Sequence, residues 1–104
     1  MRVGGILAVV LLTGSSAGAD SLEFSYNLGL IVGSADLCGY QLSDEAVLAY
    51  VESNVPGSDL GFAAQFQTHV GYHRRQAEKL GSLELKVHCD AAQRSAVHLG
   101  LLAP

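Results

Sequence analysis

Apolar residues recur along most of the chain at steps of three and four, the spacing of one face of an α-helix. The first such set consists of Leu28, Ile31, Val32, Ala35 and Cys38. Gly39 follows it, and glycine is a common residue just after a helix end. We therefore predict a first helix over about residues 26–38, entered through an extended segment. Because residues 21–30 also alternate polar and apolar, a strand there is the alternative.

The middle of the chain predicts two further helices. Ser43 can cap the second helix, which should run to about Asn54, where the Pro-Gly pair at 56–57 stops it. Ser58 and Asp59 then open a third helix in the same way. The apolar line of this third helix consists of Phe62, Phe66, Val70, Ala77 and Leu80.

The last segment repeats the ambiguity of the first. Residues 82–89 alternate like a strand, but helical spacing continues well beyond them. The helical line consists of Leu85, Cys89, Ala92, Ala96 and Leu99. We therefore predict a fourth helix, with the apolar tail at 99–104 packed back onto the bundle. The predicted fold is all-α, a small bundle of about four helices; the alternative is α+β, with short strands near 21–30 and 82–89.

Residues 1–19 have the form of a secretory signal peptide. Arg2 gives a basic start, residues 6–12 are apolar, and Ala-Gly-Ala at 17–19 forms a cleavage site. The apolar run is shorter than the roughly 20 residues of a membrane-spanning helix. We expect a periplasmic or secreted protein whose mature part, residues 20–104, is one small helical domain without a membrane span.

The predicted export indicates that the two cysteines, Cys38 and Cys89, form a disulfide. Outside the cytosol a disulfide persists, and two cysteines allow one intramolecular pairing. We predict a disulfide that joins the first and last helices. A small domain buries too little surface to be very stable without such a cross-link.

The charge of the chain limits the class of partner. Ten acidic and six basic residues give a net charge of −4 at pH 7, and removal of Arg2 with the leader makes it more negative. Such a charge disfavours nucleic acids and anionic membranes. The expected partner is another exported protein, and the predicted contact surface is the apolar edge at Phe62 and Phe66 together with the apolar tail.

His69 and His73 are candidates for a metal site. Their spacing places both imidazoles on one helix face, where they could hold a zinc or copper ion. The sequence lacks the glutamate that follows the first histidine in the zinc-protease motif, because Val70 stands in that position. The favoured prediction is therefore no cofactor, with zinc or copper as the alternative.

The sequence carries no signature of catalysis. It contains no G-x-S-x-G turn, and so short a chain has little material for a deep pocket. We therefore predict that the protein is not an enzyme and that it has no catalytic residues.

In its layout, the chain resembles the small exported two-cysteine helical proteins of Gram-negative bacteria. The shared features are the leader, the Cys38-Gly39 pair, the central helices and Cys89 in the last helix. Periplasmic acid-stress chaperones are the best understood proteins of similar layout. The resemblance implies a non-enzymatic protein-binding factor, either an accessory subunit or a chaperone-like protein. The alternative is a transition-metal-binding protein that uses His69 and His73.

Overall fold

The computed structural model describes residues 21–104, which form a bundle of four helices. Helix α1 occupies residues 21–38, α2 is Asp44–Asn54, α3 is Phe62–Glu78 and α4 is Ser82–His98. The prediction of an all-α bundle is confirmed for this part of the chain. The predicted signal peptide at 1–19 lies outside the described residues.

The first helix starts earlier than its apolar pattern predicts. Residues 21–25 are already helical, so both the extended entry and the alternative strand at 21–30 are wrong. The alternation of polar and apolar residues suggests a strand because a polar residue such as Ser25 is expected to face water. In the structure Ser25 is buried against α3, where it makes a hydrogen bond to His69. Residues 82–89 are likewise helical, and the described part of the chain contains no strand.

The helix ends follow local capping chemistry. Ser43 Oγ accepts a hydrogen bond from the Ala46 amide at 3.1 Å, which confirms the predicted cap of α2. Gly39 and Gly100 have positive φ angles of 77° and 71°, the left-handed conformation that ends α1 and α4. The prediction that Ser58 and Asp59 open α3 is wrong, since α3 begins at Phe62 with Gly61 as an N-cap residue that has no side chain to cap it. The Asp59 carboxylate accepts a hydrogen bond from Ser21 at 2.7 Å.

Helices α1 and α3 lie in close contact because two glycines of α1 have no side chain. A Cβ on Gly29 would come within 2.7 Å of His69 Cβ, and a Cβ on Gly33 within 2.5 Å of the Val70 carbonyl oxygen. Both values are far below an ordinary van der Waals contact. This pair of glycines therefore forms a tight helix crossing inside the protein.

The main core lies between α1, α4 and the chain segments that follow them. Its buried members are Leu28, Ile31, Ala35, Tyr40, Ala92, Ala96 and Leu101. A disulfide joins Cys38 of α1 to Cys89 of α4, with the two Cα atoms 5.2 Å apart. The predicted covalent link between the first and last helices is thereby confirmed.

The C-terminal tail packs against the segment between α1 and α2. Leu101 is 1% exposed, and its carbonyl accepts a hydrogen bond from the Ser43 amide at 2.8 Å. Leu42 and Leu102 form an isolated antiparallel bridge, which the Ala103 amide extends to the Gln41 carbonyl. The tail therefore contributes to the core, as its apolar composition predicts.

Among residues 21–104, no helix has the length and apolar character that crossing a membrane requires.

Candidate functional site

Three histidines from two different helices point at α1 and hydrogen-bond to it. They are His69 and His73 of α3 and His88 of α4, and their contacts on α1 are Ser25, Tyr26 and Ser34. We call this set of six residues the histidine seam. It lies beside the core and attaches α1 to both of the long helices.

His69 contacts the buried hydroxyl of Ser25. The distance between Ser25 Oγ and His69 Nδ1 is 2.8 Å, and Ser25 is 0% exposed. Ser25 Oγ also donates to the Leu22 carbonyl at 3.1 Å. A hydroxyl carries one proton, so both contacts hold together when the imidazole of His69 is protonated at Nδ1.

His73 is the most buried histidine of the seam. It is 5% exposed, and its Nε2 donates a hydrogen bond to the Tyr26 carbonyl at 3.1 Å. The rings of Tyr26 and Tyr72 pack edge-on against it, with centroid distances of 4.4 and 5.2 Å. This environment is largely aromatic and offers no negative charge to balance a protonated imidazole.

Burial is the main reason why the pKa of His73 lies below its ordinary value of 6.5. The hydrogen bond to the Tyr26 carbonyl acts in the opposite direction, while the neighbouring His69 and His88 lower the pKa further. His73 is therefore neutral at pH 7, and charging it would place a cation between two other titratable rings.

His88 joins α4 to the same helix. Its Nε2 lies 2.8 Å from Ser34 Oγ, and Ser34 is 0% exposed. A buried hydroxyl without a partner would be costly, so this contact satisfies a polar group that the α1–α4 packing removes from water.

An open cleft of about 330 Å³ borders the seam between α1, α3 and α4. Tyr26, Tyr72, His73 and His88 line it, together with apolar and amide side chains. Among the described residues that line this cleft there is no carboxylate and no lysine or arginine. The cleft therefore gives water access to the edge of the seam without supplying a charge partner.

The predicted metal ligands, His69 and His73, both belong to the seam. Each directs one ring nitrogen at α1, Nδ1 in His69 and Nε2 in His73. Within residues 21–104, no three histidine, cysteine, aspartate or glutamate side chains lie together as a metal-binding group. A two-histidine site would have to use the other nitrogen of each ring, and metal binding stays a prediction.

The predicted partner surface at Phe62 and Phe66 lies in an aromatic cluster. Phe62 is 7% exposed and stacks on Phe66, with ring centroids 5.9 Å apart. Phe24 contacts both Phe62 and Tyr50, with centroid distances of 5.9 and 5.0 Å. Phe62 thus offers little surface to a partner in this conformation, and Phe66 is half-buried.

The seam includes residues that the sequence does not single out. Ser25 and Ser34 look like solvent-facing positions of α1, and local periodicity does not place His88 beside them. The available signal is the series of small residues at steps of four, Ser25, Gly29 and Gly33, which indicates a close helix contact.

No family model matches the chain, and no curated protein or solved structure matches it either.

Proposed function

We propose that the protein is an exported, non-enzymatic protein-binding factor of the chaperone-like kind, and that acid releases its binding surface by opening the histidine seam. The observation that supports this proposal is the attachment of α1 to α3 and α4 through three histidines. The ring nitrogens of His69 and His73 that face α1 donate in the neutral and in the charged ring alike, so acid acts through the positive charge that it adds and not by removing these hydrogen bonds.

Acid weakens the seam by two effects. A protonated His73 is a buried cation that faces Tyr26 from α1, His69 and Tyr72 from α3, and His88 from α4. None of these groups carries a compensating negative charge. Neutralisation of the ten acidic residues at lower pH makes the whole chain positive and adds a general repulsion.

The surface that becomes available is the inner face of α1. Leu28 and Ile31 are 1% and 3% exposed, so separation of α1 from the bundle would present apolar side chains that water does not reach in the closed state. The Cys38–Cys89 disulfide would keep the end of α1 attached to α4 during opening. The loss of packing is therefore local and reversible.

Light scattering tests this proposal. An acid-labile enzyme is shifted to low pH with and without the protein, and the expected result is suppressed aggregation at low pH and none at neutral pH. His73→Gln keeps an amide donor for Tyr26 but does not titrate, so it should move suppression to lower pH. His98→Gln, outside the seam, is the matched control. Unchanged aggregation of the client at every pH contradicts the proposal.

An accessory subunit is the second form of protein-binding factor. Ten large apolar side chains of the described part are at least one third exposed, and Leu60 is 90% exposed. Such side chains are compatible with a permanent partner at neutral pH. Capture of one partner at stoichiometric yield from a neutral periplasmic extract, with no acid-dependent activity, would favour this form over the chaperone-like one.

Transition-metal binding is the alternative function. The seam places His69 and His73 one turn apart, and the nitrogens not directed at α1 are Nε2 of His69 and Nδ1 of His73. Titration with zinc, copper and nickel under oxidising conditions tests it. Stoichiometric binding that is lost in His69→Ala with His73→Ala would support a metal site, and no binding would contradict it.

A further inference from the structure

The outer face of α4 carries apolar side chains where a solvent-facing helix normally carries charges. Leu83, Val87 and Val97 are 74%, 64% and 58% exposed. They share one face with Asp90 and Arg94, because residues 83, 87, 90, 94 and 97 follow each other at steps of four and three. We call these five residues the outer α4 stripe. The opposite face holds Ala92 and Ala96, both 0% exposed, and packs on the core.

The order of side chains along the stripe has a two-fold character. Val87 and Val97 flank an ion pair in which Arg94 Nε lies 2.9 Å from Asp90 Oδ2. The steps from Val87 to Asp90, Arg94 and Val97 are three, four and three, which read the same in both directions. When a second α4 helix runs in the opposite direction, its valines therefore lie opposite valines, and its aspartate and arginine lie opposite arginine and aspartate.

We propose that the part of the outer α4 stripe from Val87 to Val97 is the interface of a homodimer, in which two α4 helices pack antiparallel about a two-fold axis that crosses the stripe midway between Asp90 and Arg94. In this arrangement Val87 contacts the partner's Val97. Asp90 meets the partner's Arg94, so the two ion pairs combine into a ring of alternating charge. An isologous contact of this kind closes on itself and gives a dimer, not a chain of molecules.

Charge complementarity indicates that a second copy of the protein binds the outer α4 stripe, and it fixes the register of the two helices. A parallel pair would place Asp90 beside the partner's Asp90 and Arg94 beside the partner's Arg94, which is unfavourable. An antiparallel pair displaced by one heptad would place Val87 against the partner's Asp90 and lose both the apolar and the charged match. Coiled coils have core positions at this spacing, and polar core residues in them set the register at a cost in stability.

The size of the contact predicts a weak dimer. One helix of seventeen residues on each side buries less than the roughly 1,200 Å² of a stable specific interface. Burial of four charges also costs desolvation, even when they are paired. The dimer should therefore form reversibly at high protein concentration, with a dissociation constant in the micromolar range or weaker.

Sedimentation equilibrium of the purified protein with its disulfide intact is the test. The expected result is a reversible monomer–dimer equilibrium, weakened about tenfold or more by Val87→Glu. Leu60→Glu changes an apolar side chain that is 90% exposed elsewhere and should leave the equilibrium unchanged. A wild-type protein that stays monomeric at millimolar concentration, or a dimer that Val87→Glu does not weaken, overturns the proposal.

Charge exchange tests the antiparallel register separately from folding. Asp90→Arg and Arg94→Asp should each weaken the homodimer, because each sets like charges opposite one another. An equimolar mixture of the two variants should associate, since every facing pair is then complementary, and the double exchange should restore the homodimer. If the mixture associates no better than each variant alone, the proposed antiparallel interface is overturned.

Discussion

Gly33 lies directly against the backbone of Val70, so that a Cβ at this position would come within 2.5 Å of the Val70 carbonyl oxygen. The neighbouring atom is backbone inside α3 and cannot move without shifting that helix. The distance between α1 and α3, and hence the geometry of the histidine seam, is therefore set by the absence of a side chain at Gly33.

Gly33→Ala should lower the free energy of unfolding by about 1–3 kcal/mol, because the added methyl group overpacks the helix crossing. Gly71→Ala on α3 is the matched control, since its nearest neighbour is the flexible end of Arg75 at 3.2 Å. The control should be neutral or should stabilise by up to about 1 kcal/mol through helix propensity. Urea unfolding of both variants checks this, and equal effects would contradict the close contact.

The Cys38–Cys89 disulfide should contribute about 4 kcal/mol to stability, since it closes a loop with a sequence separation of 51. The double variant Cys38→Ser with Cys89→Ser should show this loss in urea unfolding at neutral pH. The oxidised wild type serves as reference, and the reduced wild type should fall to the level of the double variant. Retention of full stability after reduction would show that the bundle does not depend on the cross-link.

Leu101→Ala should destabilise the protein by about 3 kcal/mol, because it removes a side chain that is 1% exposed and leaves a cavity in the core. Leu48→Ala is the control, since Leu48 lies on α2 and is 62% exposed. Thermal unfolding measured by circular dichroism compares the two. A tail that contributes nothing would give the two variants the same midpoint.

The helices could be predicted from the sequence where a capping residue and an apolar face indicate the same helix. Ser43 with the Pro-Gly pair at 56–57 bounds α2 well, and the apolar line of α4 outlasts its strand-like start. The helical conformation of residues 21–25 could not be predicted, because Ser25 interrupts the apolar pattern although it is buried. A small polar residue carries no signal of burial until its partner, here His69, is known.

The candidate site could be predicted only in part for the same reason. The four-residue spacing of His69 and His73 predicts a shared face, and the structure places them on one face of α3. Their contacts on α1 are separated from them by more than forty positions in the chain. Pairing at such distances depends on how the helices pack, which local periodicity does not specify.

The pH dependence of stability tests the role of the histidine seam most directly. The pKa of His73 is lower in the folded state than its ordinary value of 6.5, so the unfolded chain binds the proton more readily. The contribution of a neutral His73 is therefore present above pH 6.5 and is lost as the pH falls towards the lower pKa of the folded state. His73→Gln removes this contribution to the pH dependence, while His98→Gln retains it.

The measurement is the free energy of unfolding by urea from about pH 8 to about pH 5 for the wild type and both variants. We expect the wild type and His98→Gln to lose stability together below pH 6.5, and His73→Gln to lose distinctly less over the same interval. The comparison uses the slope of the free energy of unfolding against pH, so a destabilisation of His73→Gln that is the same at every pH does not affect it. Parallel curves for all three proteins would contradict a seam that acid opens at His73.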